Sequence, residues 1–190
     1  MRLAHLQDCQ RLSTDEINDI AWQMVIEYRQ MYDIQPHEPR LQRHVTSVSV
    51  HDVQYLIVGG YAVIRHTQPR FTKDLDIWLR PERSNAQKTA KAFREFGIPL
   101  IEVTEDDLAN EGLQYMVGFY PSAIDFLTSV QPLDFEEAWS TRAIFETSSG
   151  PLNYLSISNL IRSKRHSGRL LDLAHVEEIL RFHPDADPDT

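Results

Sequence analysis

The stretch "YLIVGGYAVIRHTQPRFTKDLDIWL", residues 55–79, contains the features from which a fold can be inferred. An apolar run over 54–58 stops at Gly59 and Gly60, which predicts a buried strand that ends in a tight turn. Residues 61–67 then predict a short helix. The order strand, two glycines and helix is therefore the first expectation for this segment.

The end of this stretch alternates between acidic or aromatic and aliphatic residues, in the order Asp74, Leu75, Asp76, Ile77, Trp78, Leu79. Alternation with period two indicates a second strand, with its aliphatic residues facing the core and both aspartates on the other face. Two carboxylates about 6 to 7 Å apart on one face repel each other, and burying both without partners costs several kcal/mol. A bound divalent cation removes that cost, and oxygen ligands suit Mg²⁺ best.

The two glycines complement the two aspartates. Backbone N–H groups at the start of a helix are unpaired, and the absence of Cβ at Gly59 and Gly60 lets a phosphate approach them closely. A Gly-Gly turn alone is common, and so is an Asp-x-Asp pair. Their combination on two successive strands is much rarer and predicts a site for a metal ion and a phosphate ester.

The same periodicities predict the other elements. Helices are expected at 13–32, at 82–97 with Ser84 or Asn85 as the cap and Gly97 as the terminator, and in two pieces around Gly168 within 158–182. Strands are expected within 113–120 and 123–130, joined through Pro121 and Ser122, while 136–146 and 152–157 are ambiguous. We predict an α+β fold with an N-terminal helical extension and linker over 1–46, one domain over 47–183, and a disordered tail over 184–190.

Composition narrows the function classes. A chain of 190 residues with 42% hydrophobic content can build one core. The net charge of −9 argues against binding to long DNA or RNA. A single cysteine, Cys9, excludes an internal disulfide and a zinc site built from thiolates. With no run of about 18 apolar residues and no signal-peptide pattern, a soluble cytoplasmic protein that does not enter the membrane is expected.

The segment "VGGYAVIRHTQPRFTKDLDIWL" resembles the minimal nucleotidyltransferases of the DNA polymerase β superfamily, in the group related to bacterial abortive-infection and toxin-antitoxin nucleotidyltransferases. That family's motif is two adjacent glycines, a helix, and Asp-x-Asp on the next strand. The stretch "ISNLIRSKRHSGRLLDLAHVEEIL" is similar to the family's closing helices, where a Lys, then Gly-Arg and an Asp recur. The resemblance covers roughly residues 50–180.

The resemblance implies a mixed sheet with helices packed on one side and the transfer of an NMP from an NTP to an acceptor hydroxyl, with release of pyrophosphate. It implies that Asp74, Asp76 and Asp125 are the catalytic residues and the ligands of Mg²⁺ or Mn²⁺, with Asp125 in the apolar run "AIDFLTSV" as the third acid. Gly59 and Gly60 would cradle the phosphates of the nucleotide, for which ATP is one candidate.

Further candidates match the family less specifically. Arg70 and Thr72 match its Arg-x-Thr ahead of the aspartates, and Arg70 either contacts substrate or pairs with a local carboxylate. Lys164 either binds a phosphate or belongs to a solvated basic face. For Arg169 and Asp172, three apart on a helix, we favour a structural ion pair.

His66 and Trp78 are aromatic side chains next to the motif. We interpret His66 as a packed residue at a helix end, and Trp78 as a packing residue rather than a platform that stacks on a base.

Two functions follow. The first is a Mg²⁺-dependent nucleotidyltransferase whose acceptor is a tRNA end, a protein or a small molecule. The second is a catalytically silent protein of the same fold that regulates or binds a partner, such as a cognate antitoxin or a second copy of itself in a homodimer, within a bacterial defence or toxin-antitoxin system. The intact Asp74, Asp76 and Asp125 favour the first.

Overall fold

The computed structural model describes residues 52–68, 72, 74–96, 98, 100, 103–117, 123–147 and 150–188. The helix predicted at 13–32, and with it the whole N-terminal extension over 1–46, lies outside these residues. Six strands are described: β1 Tyr55–Ile57, β2 Asp74–Leu79, β3 Gln114–Val117, β4 Ala123–Leu127, β5 Ala143–Thr147 and β6 Gly150–Tyr154. Six α-helices accompany them: α1 Gly59–His66, α2 Arg83–Phe96, α3 Glu105–Ala109, α4 Phe135–Ser140, α5 Ile157–Ser167 and α6 Leu170–Phe182.

All six strands form one mixed sheet, in the order β3-β4-β2-β1-β6-β5. Strand β2 runs antiparallel to β1 and parallel to β4, while β1 and β6 are parallel. The chain is therefore an α+β protein with a mixed sheet, as predicted. This order places β2 between the strand that leads into the glycines and the strand that carries Asp125.

The core lies between the sheet and the helices. Strand β1 is buried throughout, and Leu56 pairs with Trp78 of β2, which is only 1% exposed. Trp78 packs edge-on against Phe135 of α4, with ring centroids 5.0 Å apart. The interpretation of Trp78 as a packing residue is confirmed. On the opposite face of β2, Leu75 and Leu79 are also buried, so β2 is covered on both faces over most of its length.

Asn85 has a different role from the helix cap that the sequence predicts. Its side chain is 2% exposed and lies in the first turn of α2, which begins at Arg83. Asn85 Nδ2 donates to the carbonyls of Gln54 and Arg80, and Asn85 Oδ1 accepts from the Gln54 amide at 2.8 Å. The cap prediction is wrong because Asn85 joins the start of β1 to the end of β2 instead. The carboxylate of Glu82 accepts the hydrogen bonds of Ser84 at the helix start.

The predicted pair of strands around Asp125 forms an antiparallel hairpin, β3 and β4, in which Met116 lies opposite Asp125. Its predicted connection through Pro121 and Ser122 lies outside the described residues. The two ambiguous segments resolve as helix α4 followed by the β5–β6 hairpin. Asp134 caps the start of α4, where its carboxylate accepts a hydrogen bond from the Glu137 amide. The sequence interpretation did not include this cap.

Helices α5 and α6 meet at Gly168, as predicted, and Gly168 has a left-handed φ of 65°. The prediction of a disordered tail from 184 is wrong for residues 184–188. Pro184–Ala186 form a 3₁₀ turn, and the Arg165 guanidinium donates to both carboxylate oxygens of Asp187 at 2.6 and 2.7 Å. Within the described part of the chain, no helix has the length and apolar character needed to cross a membrane.

Candidate active site

Three aspartates converge where β2 and β4 run side by side. The parallel register places Asp76 opposite Asp125, and Asp74 precedes Asp76 on the same face of β2. One carboxylate oxygen from each of the three residues can be chosen so that all lie within 4.8 Å of one another. The predicted triad of Asp74, Asp76 and Asp125 is therefore brought together by the strand order β4-β2.

Burial and mutual repulsion within the triad act on Asp76 in particular. Burial, reinforced by the charges of Asp74 and Asp125, raises the pKa of Asp76 to about 7. The charge of Lys164 and a hydrogen bond from the Gly60 amide oppose that rise.

Asp125 is buried more deeply than its two neighbours on β2. It is 6% exposed, and burial raises its pKa despite a 3.4 Å hydrogen bond from Gln114 Nε2. Asp125 Oδ1 is buried and accepts no hydrogen bond from the described residues. A divalent cation would satisfy this oxygen and relieve the repulsion within the triad, so these residues fit a hard metal ion.

The Gly-Gly turn lies against the triad. Gly59 has a φ of 60°, and a Cβ on it would lie 1.8 Å from Asp76 Oδ2. A Cβ on Gly60 would lie 2.4 Å from Thr72 Oγ1. The absence of two Cβ atoms lets the start of α1 approach the carboxylate of Asp76, and the backbone of Gly60 donates to that carboxylate. The residues predicted to bind phosphates and metal are thus direct neighbours.

Helices α5 and α6 supply the opposite side of the site. Lys164 is 7% exposed, and its Nζ donates to Asp172 Oδ1 at 2.7 Å. Lys164 is therefore a buried ammonium beside the triad, and the alternative of a solvated basic face is wrong. Its neighbours Arg162 and Arg165 pair away from the site, with Glu137 and Asp187.

Asp172 is the centre of a polar network. Burial alone would raise its pKa, but hydrogen bonds from Lys164 and Ser167, together with the charges of Lys164 and His175, lower it. The Arg169–Asp172 ion pair that we favoured does not form, because Lys164 and Ser167 occupy the carboxylate. Arg169 is instead exposed at the start of α6.

The triad, the two glycines, Lys164 and Asp172 line one cleft of about 910 Å³. The predicted residues on its walls are Gly59, Gly60, Thr72, Asp74, Asp76, Asp125 and Lys164. The remaining predicted residue, Arg70, lies outside the described residues.

The sequence interpretation missed other residues of the cleft. They are Gln114, Ser129, Gln131, Ser163, His166, Ser167, Leu171 and His175. The expected strand within 113–120 contained Gln114, but only its pairing with β4 places it beside Asp125. His66 lies away from the triad as a packed helix-end residue, as we interpreted it, and donates to the Leu155 carbonyl at 2.9 Å.

Comparison with known proteins does not extend this picture. No family model matches the sequence, and no curated protein matches it either. The functional interpretation therefore rests on the geometry of the cleft.

Proposed function

We propose that the protein is a metal-dependent nucleotidyltransferase that moves an NMP from an NTP to an acceptor hydroxyl. The observation that carries the proposal is the meeting of two features in one cleft. Three carboxylates with oxygens within 4.8 Å of one another lie against a glycine turn that has no room for a side chain. A carboxylate at the surface has its oxygens in water, whereas Asp125 Oδ1 is buried and accepts no hydrogen bond from the described part of the chain.

In this proposal Asp74, Asp76 and Asp125 hold Mg²⁺ or Mn²⁺. The ions would lower the pKa of the attacking hydroxyl and offset charge on the leaving pyrophosphate. The protein contributes by fixing its ligands on two paired strands, since the register of β2 and β4 determines the separation of Asp76 from Asp125.

The nucleotide phosphates would lie between the start of α1 and helix α5. The helix begins at Gly59, where neither glycine carries a Cβ, and Lys164 lines the same cleft as a point charge. Thr72 adds a hydroxyl beside Gly60. These groups bind and orient the triphosphate but form no covalent bond to it.

The reaction is a single displacement at phosphorus. The acceptor oxygen forms a bond to the α-phosphorus, the bond from that phosphorus to the bridging oxygen breaks, and pyrophosphate leaves with the electron pair. The hydroxyl proton passes to a carboxylate. Asp125 is the candidate base, because β4 places its carboxylate opposite Asp76 and away from the strand that leads into the glycines.

The test is transfer of label from α-³²P-labelled ATP, GTP, CTP and UTP, each with Mg²⁺, to acceptors in a bacterial cell extract. We expect labelled product and pyrophosphate with the wild type, and a loss by orders of magnitude with Asp76→Asn. Asp106→Asn makes the same charge change at an exposed ion pair with Arg83 outside the cleft and serves as the control. Equal transfer by wild type and Asp76→Asn would overturn the proposal.

A catalytically silent protein of the same fold gives a different result. It would produce no Mg²⁺-dependent labelled product with any NTP, although the protein is folded. In that case the cleft would be a binding site without turnover.

A further inference from the structure

The order of the strands divides the cleft into two sides. Strand β2, with Asp74 and Asp76, has β1 on one side and β4 on the other. The chain passes from β1 into Gly59 and Gly60, whereas β4 carries Asp125. Under the proposed function, on which this inference rests, the triphosphate belongs on the β1 side and the attacking hydroxyl on the β4 side.

The β1 side carries the cations of the cleft. Helices α5 and α6 pack against α1, the helix that begins at the glycines. They bring the cations Lys164 and Arg169 to the cleft, together with the imidazole of His166. Ser163 and Ser167 add hydroxyl groups to the same wall. This wall suits the several negative charges of a triphosphate.

Among the described residues, the β4 side of the cleft carries no charged side chain apart from the triad. The residues that line it are Gln114 of β3, Leu127 of β4, and Ser129, Val130 and Gln131 after β4. Met116 of β3 lies opposite Asp125 and is 48% exposed. Among the described residues that line the cleft, the Lys and Arg side chains lie on α5 or at the start of α6, and none belongs to this wall.

An acceptor of high charge does not match this wall. A nucleic-acid end brings a phosphate with every nucleotide, and its binding needs Lys or Arg to neutralise them. Here such phosphates would meet amides, aliphatic groups and three acidic side chains, in a chain of net charge −9. A polycationic acceptor would need carboxylates beyond the triad. Asp172 is the one other acid among the described lining residues, and it is bonded to Lys164 on the far wall.

We propose that the acceptor is a neutral hydroxyl compound, either an alcohol or phenol side chain of a protein or an uncharged small molecule, and not the end of a nucleic acid. Its oxygen bonds to the α-phosphorus, its proton goes to a triad carboxylate, and pyrophosphate leaves. The amides of Gln114 and Gln131 and the hydroxyl of Ser129 supply hydrogen bonds to a polar uncharged group, and Leu127 and Val130 contact its carbon atoms.

The experiment identifies the chemical class of the labelled product. The full chain is incubated with α-³²P-labelled NTP, Mg²⁺ and a bacterial cell extract, and label that is suppressed both by EDTA and by Asp76→Asn is counted. The product is then divided into three portions: untreated, treated with ribonuclease, and treated with proteinase.

We expect the label to resist ribonuclease. Loss of macromolecular label with proteinase identifies a protein hydroxyl, and label in a low-molecular-weight product identifies a small molecule, so either result supports the inference. Label that ribonuclease removes would overturn it and leave the proposed function intact. No label above the EDTA background in any portion would contradict the proposed function itself, and with it this inference.

Salt provides a second, independent readout. With NTP and Mg²⁺ saturating, we expect the rate of transfer to change by less than about twofold between 50 and 200 mM KCl, since a neutral acceptor releases no counterions. Total tRNA, added as a competitor, is expected not to slow the reaction. A fall of tenfold or more over this range, together with competition by tRNA, would overturn the inference.

Discussion

Gly59 shows most directly how a single residue determines this site. Its φ of 60° is unfavourable for any residue with a side chain, and its Cβ would coincide with the Asp76 carboxylate. Gly168 has nearly the same φ, 65°, but a Cβ there would meet nothing within 4 Å. Substitutions at Gly59 and Gly168 therefore distinguish backbone strain, which both share, from steric conflict, which only Gly59 has.

We expect Gly168→Ala to lower the free energy of unfolding by about 1 to 2 kcal/mol, the cost of a left-handed alanine, and to leave metal binding intact. Gly59→Ala introduces the same backbone strain and must also displace the Asp76 carboxylate. We therefore expect it to lower the free energy of unfolding more than Gly168→Ala does, and to abolish Mg²⁺ binding. Urea unfolding and calorimetric Mg²⁺ titration measure the two effects. Equal stability losses with equal Mg²⁺ affinity would contradict the contact between Gly59 and Asp76.

Asp76 makes stability depend on pH when no divalent cation is present. Its pKa is about 7 in the folded protein against 3.8 as the ordinary value, so the folded state retains a proton that the unfolded chain releases. The free energy of unfolding therefore falls as the pH rises from about 4 to about 7. Above this pH range the loss of unfolding free energy caused by ionised Asp76 is constant, and below this range there is no loss.

Asp76→Asn removes this loss. In EDTA we expect the variant to match the wild type near pH 4 and to become more stable as the pH approaches 7, by up to about 4 kcal/mol before solvent screening reduces it. Thermal unfolding across this range, with Asp106→Asn as the charge control, measures the difference. A constant difference at all pH values would show that burial does not perturb Asp76.

At the scale of elements, the contact between Lys164 of α5 and Asp172 of α6 fixes the wall of the cleft. The two side chains are 9% and 17% exposed. Breaking a pair at this depth leaves an uncompensated charge, whereas a surface pair contributes little. Lys88 and Asp52 form such a surface pair, with side chains 39% and 89% exposed.

We expect a double-mutant cycle of Lys164→Met and Asp172→Asn to give a coupling energy of about 1 to 3 kcal/mol. The matched cycle of Lys88→Met and Asp52→Asn should give less than about 1 kcal/mol. Chemical unfolding of the four proteins in each cycle provides the values. If the two coupling energies agree, the contact does not hold α5 and α6 together.

The elements that the sequence predicted are those whose signal is local. Alternation predicted β2, the glycines predicted the start of α1, and Gly168 predicted the break between α5 and α6. The misassigned roles belong to residues with distant partners. Asn85 looked like a cap because its bonds to Gln54 and Arg80 depend on how β1 and β2 pair. Asp172 was paired with the wrong cation because Lys164 approaches from the preceding helix.

The candidate site could be predicted in part for the same reason. Asp74, Asp76 and the glycines are close in sequence, so a motif reveals them. Asp125 was found through the resemblance, and its position opposite Asp76 depends on the parallel pairing of β2 and β4. No local pattern marks Gln114 or Ser129. Gln114 reaches the cleft because β3 pairs with β4, and Ser129 reaches it because it follows β4, which pairs with β2.

At the scale of the whole molecule, the sheet order assembles the candidate site from segments far apart in the chain. The turn after β1, strands β2 and β4, and helix α5 each contribute one part, and none of them forms the site alone. Under the proposed function, the net charge of −9 opposes the approach of a free NTP, and we expect binding to depend on the divalent cation that accompanies it. Nucleotide and metal should therefore stabilise the fold together rather than separately.

The most direct test of the account is thermal unfolding with each NTP, with and without Mg²⁺, for the wild type, Asp74→Asn/Asp76→Asn and the control Asp106→Asn. At about 100 times its Kd, a ligand adds roughly 2.7 kcal/mol, which raises the Tm of a domain of this size by about 5 to 10 °C. The account predicts this rise with at least one NTP only when Mg²⁺ is present, in the wild type and the control but not in the double variant. A folded wild type whose Tm does not change with any NTP and Mg²⁺ would contradict it.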